Sequence, residues 1–125
     1  LTDLTGCHVL IAEDNAINMI VAKRMLERWN AKVTEAENGA IAVKYAEEQQ
    51  FDIILMDIEM PVMDGLSAVE KIRSFNNRVP IIALSADAAE DKQSDLRIKG
   101  LNEYIQKPFL PEELHGKISK LIKLR

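Results

Sequence analysis

Five residues in this chain are of the right types to handle phosphate and a hard cation. Glu13 and Asp14 close one apolar run, Asp57 closes a second, Ser85 a third, and Lys107 follows a fourth short segment. Three carboxylates brought together repel one another unless a cation joins them. The ligands on offer are all oxygens, with no histidine or cysteine close by in the sequence, and oxygen-only coordination selects a hard ion. Mg²⁺ suits a site with few carboxylates and several waters. Lys107 adds a positive point charge that can hold a phosphate oxygen, and the Ser85 hydroxyl can donate to another. A carboxylate at the tip of a strand, flanked by metal and lysine, is a nucleophile for phosphorus. Charge on the equatorial oxygens of the transition state would be offset by the metal and the lysine. Taken singly, each feature is commonplace: an acidic pair leading a helix, an N-cap aspartate, a Lys-Pro loop, a helix-capping serine. Their joint placement carries the argument.

That placement depends on the elements. Strand and helix patterns alternate five times. Cys7–Ala12 reads as a strand and 16–29 as a helix, with Ile17, Val21 and Met25 on one line. Strand 32–36 and helix 39–49 follow, then strand Phe51–Met56 and a helix marked by Leu66, Val69 and Ile72. Pro80 opens strand Ile81–Leu84, a polar helix covers about Ala88 to Lys99, and Gly100 is its C-cap candidate. Strand 103–106 is short. The last helix starts near Pro111 and is amphipathic through Leu114, Ile118, Leu121 and Ile122. Such alternation implies an α/β fold, a five-stranded parallel sheet with helices on both faces. Strands one, three and four are continuously apolar, as central strands are, whereas two and five are mixed, as suits edges. The order 2-1-3-4-5 follows, the flavodoxin-like arrangement, whose ligands sit beyond the carboxyl ends of the strands. The five candidate residues fall at that end.

Composition narrows the remaining classes. With 125 residues the chain fits one domain, taken as 1–125, and a net charge of −4 argues against nucleic acid as a partner. No apolar run approaches the roughly 20 residues that span a bilayer, and no signal peptide is visible, so a cytoplasmic protein without membrane contact is expected. Cys7 cannot form an internal disulfide and is expected to be a buried thiol. The first residue is Leu1 rather than Met, which suggests a piece of something longer.

The segments Val9–Asn15, Ile54–Pro61, Met63-Asp64-Gly65, Pro80–Ala86 and Lys107-Pro108-Phe109, in this order and spacing, resemble the receiver domains of two-component response regulators. The stretches around Asn15, Asn18 and Met60–Gly65 look most like receivers attached to hybrid sensor histidine kinases. The resemblance implies that Asp57 is the phosphoacceptor, that Asp14, Asp57 and the Glu59 backbone carbonyl bind Mg²⁺ directly, and that Glu13 acts on the metal through water. It implies that Lys107 contacts the phosphoryl oxygen, that Ser85 moves to bond it, and that Tyr104 is an aromatic switch; the bland alternative for Tyr104 is a half-buried edge-strand tyrosine. Pro108 is expected to follow a cis bond, which X-Pro makes accessible, and Gly65 to allow a tight turn. The first acid is Glu13 where many members have Asp, and Ser85 stands where Thr is more frequent. Glu59 and Asp87 flank the expected phosphoryl position, so their side chains are expected to affect acyl phosphate hydrolysis, with the sign open.

The implied function is a phosphorylation switch. A phosphohistidine on a histidine kinase or histidine phosphotransfer domain docks over helix one and the nearby loops, and Asp57 takes the phosphoryl group. The shift of Ser85 then biases the face made by helix 88–99, strand five and the last helix. Among Ala16, Ile17, Met19 and Ile20, one or two are expected to be exposed for docking and the rest buried. His8 and His115 lie away from the acidic cluster. Whether self-phosphorylation and dephosphorylation make the chain an enzyme is left open, and oligomeric state, signal and output are not legible. Three rival readings compete with this one. Asp57-Ile58-Glu59 loosely resembles the Asp-x-Asp of Asp-nucleophile phosphatases, but no cap fits in this length. A flavodoxin-like nucleotide module needs a Gly/Ser/Thr loop where Glu13-Asp14-Asn15-Ala16 stands. A degenerate receiver used only for protein contact would have lost some of these positions.

Overall fold

Continuous apolar runs need cover on both faces, and the fold supplies it. The computed structural model of the chain describes residues 3–60, 62–86 and 100–122. Its elements are β1 (His8–Ala12), α1 (Ala16–Arg28), β2 (Lys32–Ala36), α2 (Gly39–Glu48), β3 (Ile53–Asp57), α3 (Gly65–Phe75), β4 (Ile81–Ser85), β5 (Glu103–Gln106) and α4 (Pro111–Ile122). The strands form one parallel sheet in the order β2-β1-β3-β4-β5, as expected from their hydrophobicity. β3 and β4 are buried throughout, whereas β2 and β5 are only partly buried at the two edges. Asp87 and the expected helix Ala88–Lys99 lie outside the described residues.

Side chains alternate across each strand, so the sheet makes two cores. Val9, Ile11, Ile53, Leu55, Ile82, Leu84 and Ile105 pack with α1 and α4. Leu10, Ala12, Ile54, Met56, Ile81 and Ala83 pack with α2 and α3. Three helices begin on an Asn or Asp that closes a strand-to-helix loop. Asn15, Asn38 and Asp64 accept from the backbone N–H of Asn18, Ile41 and Ser67 at 3.0, 2.9 and 2.9 Å. Each cap fixes where its helix starts relative to the strand end.

Two expectations about boundaries need correction at the functional end. Asp57 and Ser85 do not follow their strands but are their last residues. The ladder runs one residue past the apolar stretch, pairing Asp57 with Leu84 and Ser85 with Gln106. At the other end, β3 begins at Ile53 rather than Phe51; Asp52 still bonds the start of β1, its N–H donating to the His8 carbonyl at 2.8 Å, and the Phe51 ring lies tilted against His8 at 4.5 Å between centroids. The line Ile17-Val21-Met25 is not the buried side of α1. Met19, Ala22 and Leu26 face the core, while Ile17 is 71%, Ile20 49% and Val21 46% exposed. Of the four residues considered for docking, three are exposed and only Met19 is buried.

Candidate phosphoryl-acceptor site

Strand parity decides which side of the sheet edge the groups occupy. Asp57 continues the face of Ile53 and Leu55, and Glu13 and Lys107 stand two residues beyond Ile11 and Ile105 of that same face. The result is a shared hollow. Lys107 Nζ donates to Asp57 Oδ2 at 3.0 Å and reaches Glu13 Oε1 at 3.5 Å. The other Asp57 oxygen, Oδ1, accepts from the Glu59 backbone N–H at 3.0 Å. Glu13 Oε2 accepts from the Asn15 N–H at 3.2 Å, which ties the acid to the start of α1. One carboxylate oxygen from each of Glu13, Asp14 and Asp57 lies within 4.8 Å of the others. Asp57 is 1% exposed and Glu13 4%, whereas Asp14 is open to solvent.

Charge in the hollow is unbalanced. Burial, and next the adjoining Glu13 carboxyl, hold Asp57 above the usual carboxylate range; the Glu59 amide and Lys107 offset only part of this. Burial alone would lower Lys107, but its bond to Asp57 and the charges of Asp57 and Glu13 outweigh that and raise it. So the pair consists of a firmly charged ammonium and a carboxylate that ionises reluctantly. Three acids against one lysine leave an excess of negative charge among hard oxygen donors. That donor set fits a divalent cation of the Mg²⁺ type.

Glu13, Asp14, Asp57 and Lys107 are thus brought together as expected. Ser85 is fully buried at the end of β4, and its hydroxyl donates to Glu59 Oε1 at 2.9 Å; the same oxygen accepts from the Ala86 N–H at 3.2 Å. Sequence reasoning gave the Glu59 side chain no such partner. Its signal was the adjacency of β3 and β4: a residue two beyond the end of one strand can lean on the end of the next. Tyr104 is half-buried, and its hydroxyl is buried without a hydrogen-bond partner among the described residues. Lys107-Pro108 is a cis peptide bond. His8 stands at the opposite end of β1, bonded to Thr34 Oγ1 at 2.7 Å, and His115 packs edge-on against Trp29 at 4.9 Å. Cys7 is buried.

The family model described as "Response regulator receiver domain" matches residues 9–119. The chain belongs to the response regulator receiver family. Among solved structures, this receiver is similar to the receiver domain of sensor histidine kinase PA1611 from Pseudomonas aeruginosa PAO1, with 40% identity, a TM-score of 0.88, and 95% of this chain and 99% of that one covered. That crystal structure has a magnesium ion coordinated in the active site cleft. The receiver domain of the Saccharomyces cerevisiae response regulator Ssk1, crystallised with the histidine phosphotransfer signaling protein Ypd1, is 29% identical, with a TM-score of 0.89 over 94% of this chain and 90% of that one. Sensor protein GacS of Pseudomonas syringae pv. syringae is 35% identical over 85% of this chain but only 12% of its own length. The receiver therefore spans a small part of such a relative. Among the described residues no helix is long and apolar enough to cross a membrane.

Proposed function

We propose that residues 1–125 form one receiver domain, cytoplasmic and cut from a hybrid histidine kinase, and that it accepts a phosphoryl group on Asp57 from a phosphohistidine. The observation that carries this reading is the buried Asp57 carboxylate, held at 3.0 Å by Lys107 beside Glu13 and Asp14. An Asp57 oxygen attacks phosphorus as the phosphorus–nitrogen bond of the donor breaks and imidazole leaves with the bonding pair. Lys107 stays bonded to the acceptor side and neutralises an equatorial oxygen. Mg²⁺, held by Asp14, Asp57 and the Glu59 backbone carbonyl with Glu13 acting through water, would supply the remaining positive charge on the phosphoryl oxygens. Water later attacks the same phosphorus and restores the carboxylate. A kinase or a histidine phosphotransfer domain is the expected donor, a reading supported by the partner that Ssk1 has in its crystal.

Phosphorylation adds charge and acceptor oxygens at the sheet edge. Ser85 turns toward them, and Tyr104, whose buried hydroxyl has no hydrogen-bond partner among the described residues, carries the change to the β5–α4 side. The test is Mg²⁺-dependent labelling from a small acyl phosphate or a phosphohistidine protein, with Asp57→Asn as control. Label is expected on the wild type alone. Label persisting on Asp57→Asn removes Asp57 as acceptor, and repeated turnover of simple phosphate esters makes the chain a phosphatase instead.

A further inference from the structure

Glu59 makes contacts that a phosphoryl acceptor site does not need at rest. Its backbone N–H holds Asp57 Oδ1 at 3.0 Å, while its carboxylate crosses from β3 to β4. There Oε1 takes the Ser85 hydroxyl at 2.9 Å and the Ala86 N–H at 3.2 Å. The two donors come from consecutive residues, converge on one oxygen, and sit at the β4 end next to the strand that carries Asp57. Two convergent donors on a single oxyanion make an anion site, and here the anion belongs to the chain itself. Ser85 is fully buried, so its hydroxyl has little freedom to serve two acceptors in different places. Glu59, by contrast, is exposed, so its side chain has water to swing into once it is displaced.

We propose that the Glu59 carboxylate is a latch, an internal stand-in for the phosphoryl group that occupies the Ser85 hydroxyl and the Ala86 amide until the phosphoryl group displaces it. The inference rests on the reading of Asp57 as acceptor and names what opposes the switch in this particular chain. Phosphorylation is then an exchange of anions at one donor pair rather than the filling of an idle one. The resting state is stabilised by the latch, and the Ser85 rearrangement is linked to release of Glu59. The same exchange gives direction to the effect on the acyl phosphate. With Glu59 removed, Ser85 and Ala86 commit to the phosphoryl oxygens more completely.

The closing experiment uses beryllofluoride as a non-hydrolysable phosphoryl mimic at saturating Mg²⁺, after Asp57 labelling has been scored on the wild type. Glu59→Ala is expected to bind the mimic about tenfold more tightly, the scale of one charge-assisted hydrogen bond given up by the resting state. Glu59→Gln, which keeps an acceptor oxygen without charge, falls between the two. Repulsion between Glu59 and the incoming anion would also tighten binding on removal, so the cycle with Ser85→Ala decides. If Glu59 acts through the hydroxyl, the gain from Glu59→Ala shrinks to about threefold or less in the Ser85→Ala background. An equal gain in both backgrounds overturns the latch. A second readout needs no metal or mimic: the Ala86 amide proton resonance in the metal-free protein is expected to move upfield in Glu59→Ala, and an unmoved resonance overturns the latch as well. A wild type that neither labels at Asp57 nor binds the mimic sinks the acceptor reading, and the latch with it. A labelled wild type with equal gains sinks the latch alone.

Discussion

Asp57 ionises against its surroundings. Burial and then the Glu13 carboxyl raise it, so the folded protein favours its protonated form more than the unfolded chain does. A carboxyl group raised in this way contributes stability that is complete below the ordinary carboxylate range and is lost as pH rises through the folded value. At neutral pH without metal the chain therefore bears a penalty that Asp57→Asn removes. The variant is expected to melt at a higher temperature than the wild type at pH 7 in chelator, and the difference is expected to close as the pH is lowered through the carboxylate range. Mg²⁺ is expected to invert the comparison. At a hundredfold excess over its dissociation constant it should stabilise the wild type by about 2.7 kcal/mol, and Asp57→Asn by much less. Thermal melts in chelator and in Mg²⁺, across pH, test both statements. A wild type that outlasts Asp57→Asn in chelator at pH 7 contradicts the charge imbalance inferred for the hollow.

The elements hold this residue in place by close approach. A Cβ built on Gly65 would lie 2.3 Å from the Asp57 carbonyl oxygen and 2.6 Å from Ile58 Cα, and neither is a side chain that can swing aside. Gly65→Ala is expected to destabilise the fold by about 1–3 kcal/mol, as overpacking does. Because the atoms displaced are those of Asp57 itself, the same variant should slow labelling, whereas an equally destabilising change in the distal core should not. Urea unfolding and labelling rates measured together separate the two. At the far edge, Glu103 clasps β5 to α4 through Lys117 at 3.1 Å and Lys120 at 3.0 Å. Burial would raise Glu103, but the two lysines outweigh it and hold it low. A lowered carboxylate gives stability that is present above the ordinary range and is lost as pH falls through the folded value. Glu103→Gln should thus cost roughly 0.5–1 kcal/mol at pH 7, within the range of part-exposed ion pairs, and nothing once the wild-type acid is protonated. Elements of this kind were legible in the sequence to different degrees. Continuous apolar runs identified β1, β3 and β4 as central, and the strand order followed. Glu13, Asp14, Asp57 and Lys107 converged because strand ends in a parallel sheet share one edge. The adjacency of β3 and β4 allowed Glu59 to lean on the end of β4 but did not name Ser85 and Ala86 as its donors, and Gly65 was read as turn chemistry when it is a matter of backbone contact. Both depend on distances between elements, which spacing along one element does not encode. The rotation of α1 was missed for a related reason: Ile17 and Val21 are as apolar as Met19 and Leu26, and only the packed sheet chooses between them.

At the scale of the whole molecule, that choice leaves an apolar face beside the acidic hollow. Ile17, Ile20 and Val21 stand exposed at neighbouring positions of α1, and a groove of about 500 Å³ runs from Val21 past Asn18, Pro108 and Phe109 to Glu13 and Lys107. Scattered apolar residues need no explanation, but a contiguous patch bordering a reactive group does. If the donor is a phosphohistidine carried on a protein, as proposed above, its imidazole has to come over Asp57, and the apolar positions of α1 beside the hollow are the expected resting place for that protein. A small acyl phosphate needs only the hollow. The two donors should therefore respond differently to Ile17→Ser with Val21→Ser, which removes the anchors and keeps the charge. Transfer from a phosphohistidine protein is expected to fall about tenfold or more, the loss typical of central apolar contacts at an interface. Labelling by the small donor should stay within about twofold, since neither residue supplies a charge or a hydrogen bond to the hollow. An equal loss with both donors would place the effect in the chemistry or the fold rather than in docking. No loss with either would mean that the donor approaches from another side of the sheet edge.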